Sequence, residues 1–220
     1  MRKLISYNHQ LYVIIFIIKI KETNMYIHNF AREDSKGAFV ELSDFSFDIG
    51  KIFINFVKYD EKTHKTEFTI PIYLDFKEYF ALVEEVRSGR IYRRISEEKS
   101  KGNMYANVNQ ILSGDSAEKA KMKKYPFEVP NGKAVSKSFS FSVSKKSGYL
   151  LKASLGLGRE DEKGLIIPNG KIINYIQIPI NHKELYGFLR YGEIRIMAYE
   201  NMKMMHFKDE FDLSNWTWQK

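Results

Sequence analysis

The sequence predicts an α+β protein of two β-rich repeats, each an antiparallel sheet closed by a C-terminal helix, together forming an intramolecular pseudo-dimer. Three observations carry this expectation. Thr66–Val86, TEFTIPIYLDFKEYFALVEEV, returns in faded form at Ile173–Leu189, INYIQIPINHKELYGFL. Each copy holds an Ile-Pro-Ile core, at Ile70–Ile72 and Ile178–Ile180, followed by a Lys-Glu pair, Lys77-Glu78 and Lys183-Glu184. In both, the apolar spacing changes at the same point from period two to about 3.6, the pattern of a strand running into a helix. Internal repetition then organises the rest of the chain.

A chain of 220 residues can form one large domain or two small ones, and its 14 Tyr and 16 Phe supply apolar bulk for a core. The absence of cysteine excludes thiol catalysis, thiolate metal sites and a disulfide scaffold, and it fits a reducing, cytoplasmic setting. Lys and Arg exceed Asp and Glu by 35 to 27, a net charge of +8. That excess suits a polyanionic partner, and serves equally as a solubility device.

Residues 1–24 differ in character from the rest and are expected to be an N-terminal extension, with an edge strand as the alternative. The apolar run Leu11–Ile18, LYVIIFII, has eight residues, well short of the ~20 needed to cross a bilayer. Arg2 and Lys3 give a basic start like that of a signal peptide, but no small-residue cleavage site follows. No membrane association is expected.

The first repeat is placed at 25–92. Ala38–Leu42 alternates weakly, and Phe45-Ser46-Phe47 precedes a break at Gly50. Lys51–Tyr59, KIFINFVKY, is a long strand whose even positions Ile52, Ile54 and Phe56 form a core face. Its odd positions, Lys51, Phe53, Asn55, Val57 and Tyr59, form a mixed face of cation, amide and aromatics. A polar turn at 60–65 leads to the Ile-Pro-Ile strand. Asp75 then caps a helix with Phe76, Tyr79, Phe80, Val83 and Val86 on one face, stopped by Ser88-Gly89.

Residues 93–134 are expected to be a basic excursion between the repeats. Arg90–Lys124 holds nine Lys and Arg against four Asp and Glu, so +5 of the net +8 falls in about one sixth of the chain. Ser96–Gly102 and Ser113–Ala120 have the composition of flexible connections, with a short ordered piece at Tyr105–Leu112. The basic run Lys119–Lys124 is either a solvated face or a set of phosphate contacts without sequence preference.

The second repeat, 135–200, opens on another Phe-Ser-Phe, at Phe139–Phe141, in which Phe139, Phe141 and Val143 alternate with Ser138, Ser140, Ser142 and Ser144. Tyr149–Leu157 is the next strand, and Arg159–Gly170 an expanded loop. Gly156-Leu157-Gly158 lacks the third glycine of a dinucleotide fingerprint and marks a strand with close backbone approach. Tyr175–Ile180 leads into a helix capped by Asn181 and weakened by Gly187. Glu193–Tyr199 is expected to be a strand again. The tail, 201–220, mixes Asp209, Glu210 and Asp212 with Phe211, Trp216 and Trp218.

No constellation of catalytic residues is present. The five histidines have no metal-ligand spacing, and there is no nucleophile elbow, phosphate loop or HExxH. A non-enzyme without metal or cofactor is therefore expected. What remains is a pair of sheet surfaces carrying Lys51, Phe53, Asn55 and Tyr59 in the first repeat and Lys145, Lys146, Lys152 and Ser154, beside Ser138–Ser142, in the second. Cations and hydroxyls meet phosphates, and exposed aromatics stack on unpaired bases at about 1–3 kcal/mol each. In the competing arrangement Phe53 and Tyr59 lie beneath the other repeat as core, while the serines solvate an open face.

The succession Ile49-Gly50-Lys51 with Ile52–Tyr59, Phe68–Ile72 and the helix from Asp75 is matched by Phe139–Lys146, Tyr149–Leu157, Ile176–Ile180 and the helix from Asn181. Four strands and a helix, written twice with a Gly-Lys before a long strand, resemble the Whirly-like superfamily of single-stranded-DNA-binding proteins. That superfamily includes the plant Whirly proteins and the eukaryotic positive-cofactor coactivator. The resemblance covers most of residues 26–199 outside the central excursion. It departs from the plant proteins in their lysine-glycine-lysine-alanine motif, of which Gly132-Lys133-Ala134 is a partial match. It implies binding of single-stranded DNA, or RNA, through the sheets, in replication or recombination of a bacterium or mobile element.

Phe211, Trp216 and Trp218 offer a hook for replication or recombination proteins, a mimic of the ligand in the protein's own basic groove, or a terminal segment packed on the core. Open sheet edges favour homo-oligomers. The competing function is that of a phage or mobile-element accessory protein acting through protein–protein contacts.

Overall fold

The computed structural model describes residues 28–104, 106–145 and 148–210. Two four-stranded antiparallel sheets follow one another along the chain, each in sequential strand order. The first comprises β1 (Asn29–Ser35), β2 (Ala38–Ser43), β3 (Lys51–Tyr59) and β4 (Thr66–Asp75), followed by helix α1 (Phe76–Arg87). Helix α2 (Arg90–Ser100) leads to the second sheet, β5 (Asn107–Asp115), β6 (Ala134–Val143), β7 (Tyr149–Glu160) and β8 (Ile166–Ile180). A short helix α3 (Ala117–Lys121) lies between β5 and β6, and the long helix α4 (His182–Glu210) follows β8.

Both Ile-Pro-Ile segments fall on edge strands, β4 and β8, where a proline lacking its N–H is tolerated. Both strand-to-helix junctions close in the same way. Asp75 N–H donates to Glu78 Oε2 (3.4 Å) at the start of α1. At α4, Asn181 N–H donates to Glu184 Oε2 (3.1 Å) while Glu184 N–H donates to Asn181 Oδ1 (3.0 Å). Such caps are worth about 0.5–2 kcal/mol each. Gly89, in the left-handed region at φ 70°, separates α1 from α2.

The inner faces of the two sheets meet in one core. Leu42, Ile52, Ile54, Phe56, Ile70 and Ile72 from the first join Val135, Phe139, Phe141, Leu151, Ile176 and Ile178 from the second. Phe56 and Phe139 touch across the join, with ring centroids 5.9 Å apart. Helix α1 adds Tyr79, Leu82, Val83 and Val86, α2 adds Ile91 and Ile95, and α4 adds Leu185, Phe188, Leu189 and Ile196. Tyr79, fully buried, donates its hydroxyl to Leu189 O (2.8 Å) and lies against Gly192, so α1 and α4 cross where a side chain is missing.

Several expectations are corrected. Ser96–Gly102 falls mostly within α2, whose amphipathic stripe is only two residues, Ile91 and Ile95, in a charged sequence. Tertiary packing stabilises a helix of such low intrinsic apolarity. Asn107–Asp115 is the first strand of the second sheet, and Ser113–Ala120 runs from its end into α3. Arg159–Gly170 is a paired hairpin, with Arg159 opposite Ile167 and Glu160 opposite Ile166. Glu193–Tyr199 continues α4, because Gly192, Ile196 and Tyr199 extend the stripe of Leu185, Phe188 and Leu189 toward the core at helical spacing. The two Phe-Ser-Phe segments are not equivalent. Phe139–Phe141 is mid-strand in β6, whereas Phe45–Phe47 runs into a 3-10 turn between β2 and β3. The N-terminal extension (1–24), Lys146 and the tail residues Phe211, Trp216 and Trp218 lie outside the described residues.

Candidate nucleic-acid interface

Because the inner faces form a common core, the candidate residues divide between two separate outer faces. On the first sheet, antiparallel register aligns Asn29, Ser43, Phe53 and Tyr73 in one row and Arg32, Glu41, Asn55 and Pro71 in the next. Phe53 sits between Phe45 (4.4 Å) and Tyr73 (4.9 Å), both partly open to solvent. Tyr59 packs beside Phe39 and His64. Neither aromatic lies beneath the second sheet, so the arrangement with Phe53 and Tyr59 as shared core does not occur.

The polar groups of this face are already engaged. Lys51 Nζ is 2.8 Å from Asp75 Oδ1. Asn55 Nδ2 donates to Glu41 Oε1 at 2.9 Å, and Asn29 Nδ2 to Glu41 Oε2 at 3.2 Å. Arg32 forks onto Asp34 and lies 3.6 Å from the centre of the Phe39 ring. Three carboxylates, Asp34, Glu41 and Asp75, therefore stand against two cations, Arg32 and Lys51, and the face is not electropositive.

The outer face of the second sheet has a different composition. Its register stacks four rows: Asn107, Ser142, Leu150 and Pro179; then Ser140, Lys152 and Gln177; then Leu112, Ser138, Ser154 and Tyr175; and finally Gly114, Ser136, Gly156 and Ile172. No row contains a carboxylate. The serines are buried in the floor, while Asn107, Gln110, Leu112, Ile172 and Tyr175 are exposed along the two edge strands. The result is a furrow with a floor of serines and walls of mixed polar and apolar side chains.

Ser154, expected as a contact, is part of this floor at 4% exposure, its Oγ 2.6 Å from that of Ser138. Ser136 Oγ donates to Leu157 O (3.1 Å), and Ser142 Oγ to Asn107 Oδ1 (2.7 Å). The open, solvated serine face of the competing arrangement does not occur either. A small side chain on a central strand is shielded by longer neighbours, and alternation alone does not register that. The glycine pair serves the close approach expected of it. A Cβ at Gly158 or Gly114 would collide with Ile166, so the β7–β8 hairpin folds over this end of the furrow.

Lys152 is half-buried in the furrow with its Nζ 5.6 Å from the centre of the Tyr175 ring. Burial lowers its pKa below the ordinary lysine value, and among the described residues no carboxylate pairs with it. Lys145, exposed, follows the end of β6. Tyr175 and Gln177 were not singled out in the sequence, although the core pattern Ile176, Ile178, Ile180 implies that Tyr175, Gln177 and Pro179 share the opposite face.

A buried charge cluster braces the other side of this sheet. Asp115, at the end of β5, takes Lys137 Nζ (2.6 Å) and Lys123 Nζ (2.6 Å) together with the Tyr125 hydroxyl (2.7 Å). Burial alone would raise the Asp115 pKa. The bonds from Lys123, Lys137 and Tyr125 outweigh it and hold the value at about 2. Lys123 of the basic run is thereby engaged in the fold.

Among the described residues no group of three or more acidic or histidine side chains could hold a metal ion, and no helix is long and apolar enough to cross a membrane. No family model, curated protein or solved structure matches the chain.

Proposed function

We propose that this chain binds single-stranded DNA, without catalysis, along the furrow of the second sheet. The observation that carries the reading is the absence of any carboxylate from the four rows around Lys152, on a face offering hydroxyls, amides and an exposed Tyr175. An anion meets no repulsion there, a phosphate finds the Lys152 ammonium, and a base finds an aromatic surface. The first sheet contributes a stacking surface at Phe45, Phe53 and Tyr73, but its cations are neutralised by neighbouring acids. The same proposal treats the two sheet-plus-helix units as a Whirly-like repeat forming a pseudo-dimer. Their common strand order, edge-strand prolines and matching helix caps support it. A role in replication or recombination, with partners recruited by the tail, extends it.

The test is fluorescence anisotropy with labelled single-stranded and duplex oligonucleotides across a salt series. The expected result is salt-sensitive preference for the single strand, a log–log salt slope shallower by about one in Lys152→Ala, and a smaller effect of Phe53→Ala. Equal binding of duplex reduces the interaction to charge. No binding at low salt overturns the reading.

A second reading, an accessory protein acting through protein contacts, is favoured by helix α4. Tyr191, Ile194, Met197, Met202, Met204 and Met205 are all at least half exposed on it. It expects no affinity for oligonucleotides at any salt concentration, and stable association with a protein partner that Met197→Glu abolishes.

A further inference from the structure

We infer that helix α4 packs antiparallel on the same helix of a second copy of this chain, so that the protein forms a two-fold symmetric dimer. At 3.6 residues per turn, the stripe Leu185, Leu189 and Ile196 that α4 buries in the core leaves Tyr191, Ile194, Ala198, Asn201 and Met205 on the opposite side. Met197, Met202 and Met204 flank that line, so four of the chain's eight methionines lie within residues 197–205 and turn away from the core. Between Gly187 and Met205 this outward side carries one charge, Arg190, which pairs with Glu193 one turn on. A helix that is apolar on both sides belongs in an enclosed setting, and flexible thioethers suit an adaptable contact surface.

The area matches what a dimer needs. Tyr191, Ile194 and the four methionines are between 50% and 69% exposed. At roughly 200 Å² for a large side chain they present about 700 Å² of apolar surface. That exceeds what a monomer ordinarily leaves to water and approaches the ~800 Å² per partner of a stable interface.

The shape is self-complementary. Beside the N-terminal end of the stripe, a cleft of about 580 Å³ opens between α4 and β1, walled by Phe30, Gly187, Phe188 and Tyr191, with charged side chains of both elements at its rim. Nothing lies within 4 Å of a Cβ built at Gly187, so the cleft is open on its helix side. The other end of the stripe carries the bulky, flexible Met202, Met204 and Met205, about 20 Å away along the helix. Antiparallel packing about a two-fold axis beside Ala198 lays each methionine end over the cleft of the other copy, where sulfur meets the rings of Phe30 and Tyr191. Ala198, a small residue, lies at the crossing and lets the two helices approach. Parallel packing would set methionine on methionine and leave both clefts unfilled.

The experiment is sedimentation velocity of the full chain across a concentration series, joined to oxidative cross-linking of single-cysteine variants, which the cysteine-free sequence permits. The expected result is a species of twice the 25.9 kDa chain mass. Its dissociation constant should rise at least about tenfold in Ala198→Glu, with circular dichroism showing that variant folded. Ala198→Cys should link to its own counterpart, because the two copies of a residue beside the axis adjoin. Met205→Cys should not, since its counterparts stand roughly 20 Å apart. A monomer at every concentration overturns the inference and leaves this face to a different protein. A dimer that Ala198→Glu leaves intact makes its contact elsewhere, on the open sheet edges, and also overturns it. Cross-linking through Met205→Cys as readily as through Ala198→Cys overturns the antiparallel register. No oligonucleotide is present in these measurements, so the single-strand reading stands or falls separately.

Discussion

At the scale of single residues, the Asp115 cluster shows how polar groups are held inside this fold. Lys137 is 4% exposed and Asp115 5%, so neither charge has water to fall back on. Asp115→Asn leaves the Lys137 ammonium with a weakened partner, and chemical denaturation is expected to show a loss of about 3–5 kcal/mol. The double variant Asp115→Leu with Lys137→Met, which removes both charges, should recover most of that loss. The acid limb follows from the same geometry. A carboxylate held near 2 in the folded state titrates near 3.9 when unfolded. Its contribution is complete above about pH 4 and disappears as the pH falls through 2, so the Asp115→Asn melting temperature should lose that part of its dependence on pH. None of this was legible in the sequence, where Lys123 belongs to an ordinary basic run and Lys137 to a strand of serines.

At the scale of elements, the two glycines of α4 make opposite predictions. Nothing lies within 4 Å of a Cβ built at Gly187, so Gly187→Ala should stabilise by up to about 1 kcal/mol through helix propensity. At Gly192 the same Cβ would lie 2.6 Å from Tyr79 Cζ. Gly192→Ala should therefore destabilise by about 1–3 kcal/mol despite the same propensity gain, because two helices must separate. Paired thermal melts decide between them. The sequence located both strand-to-helix junctions, since the change of period and the capping residues Asp75 and Asn181 are local signals. It misassigned Glu193–Tyr199 for a related reason. Ile194, Ile196 and Ala198 alternate as a strand does, and only the contact with α1 reveals that Ile196 alone of these faces inward. Strand β5 was hidden by a bulge of its own, in which Asn109 and Gln110 together oppose Ser140 and break the alternation.

At the scale of the whole molecule, the two succeeding sheet-to-helix units were legible, whereas α2, the membership of β5 in the second sheet and the division of surfaces were not. Period two states that a strand has two faces, and the pairing of Phe56 with Phe139 decides which of them are enclosed. The carboxylates that neutralise the first face come from neighbouring strands, so no single stretch of sequence displays them beside Lys51 or Asn55. Lysines are spread over the entire chain, and burial lowers the proton affinity of Lys137 and Lys152. Lys137 is sealed from solvent, whereas Lys152 opens into the furrow. An amine-reactive acylating reagent attacks only the neutral amine, so the burial of Lys152 favours its reaction wherever the reagent enters the furrow. The fold thus carries its own chemical reporter, and a ligand seated in the furrow would announce itself by protecting a single lysine in a peptide map.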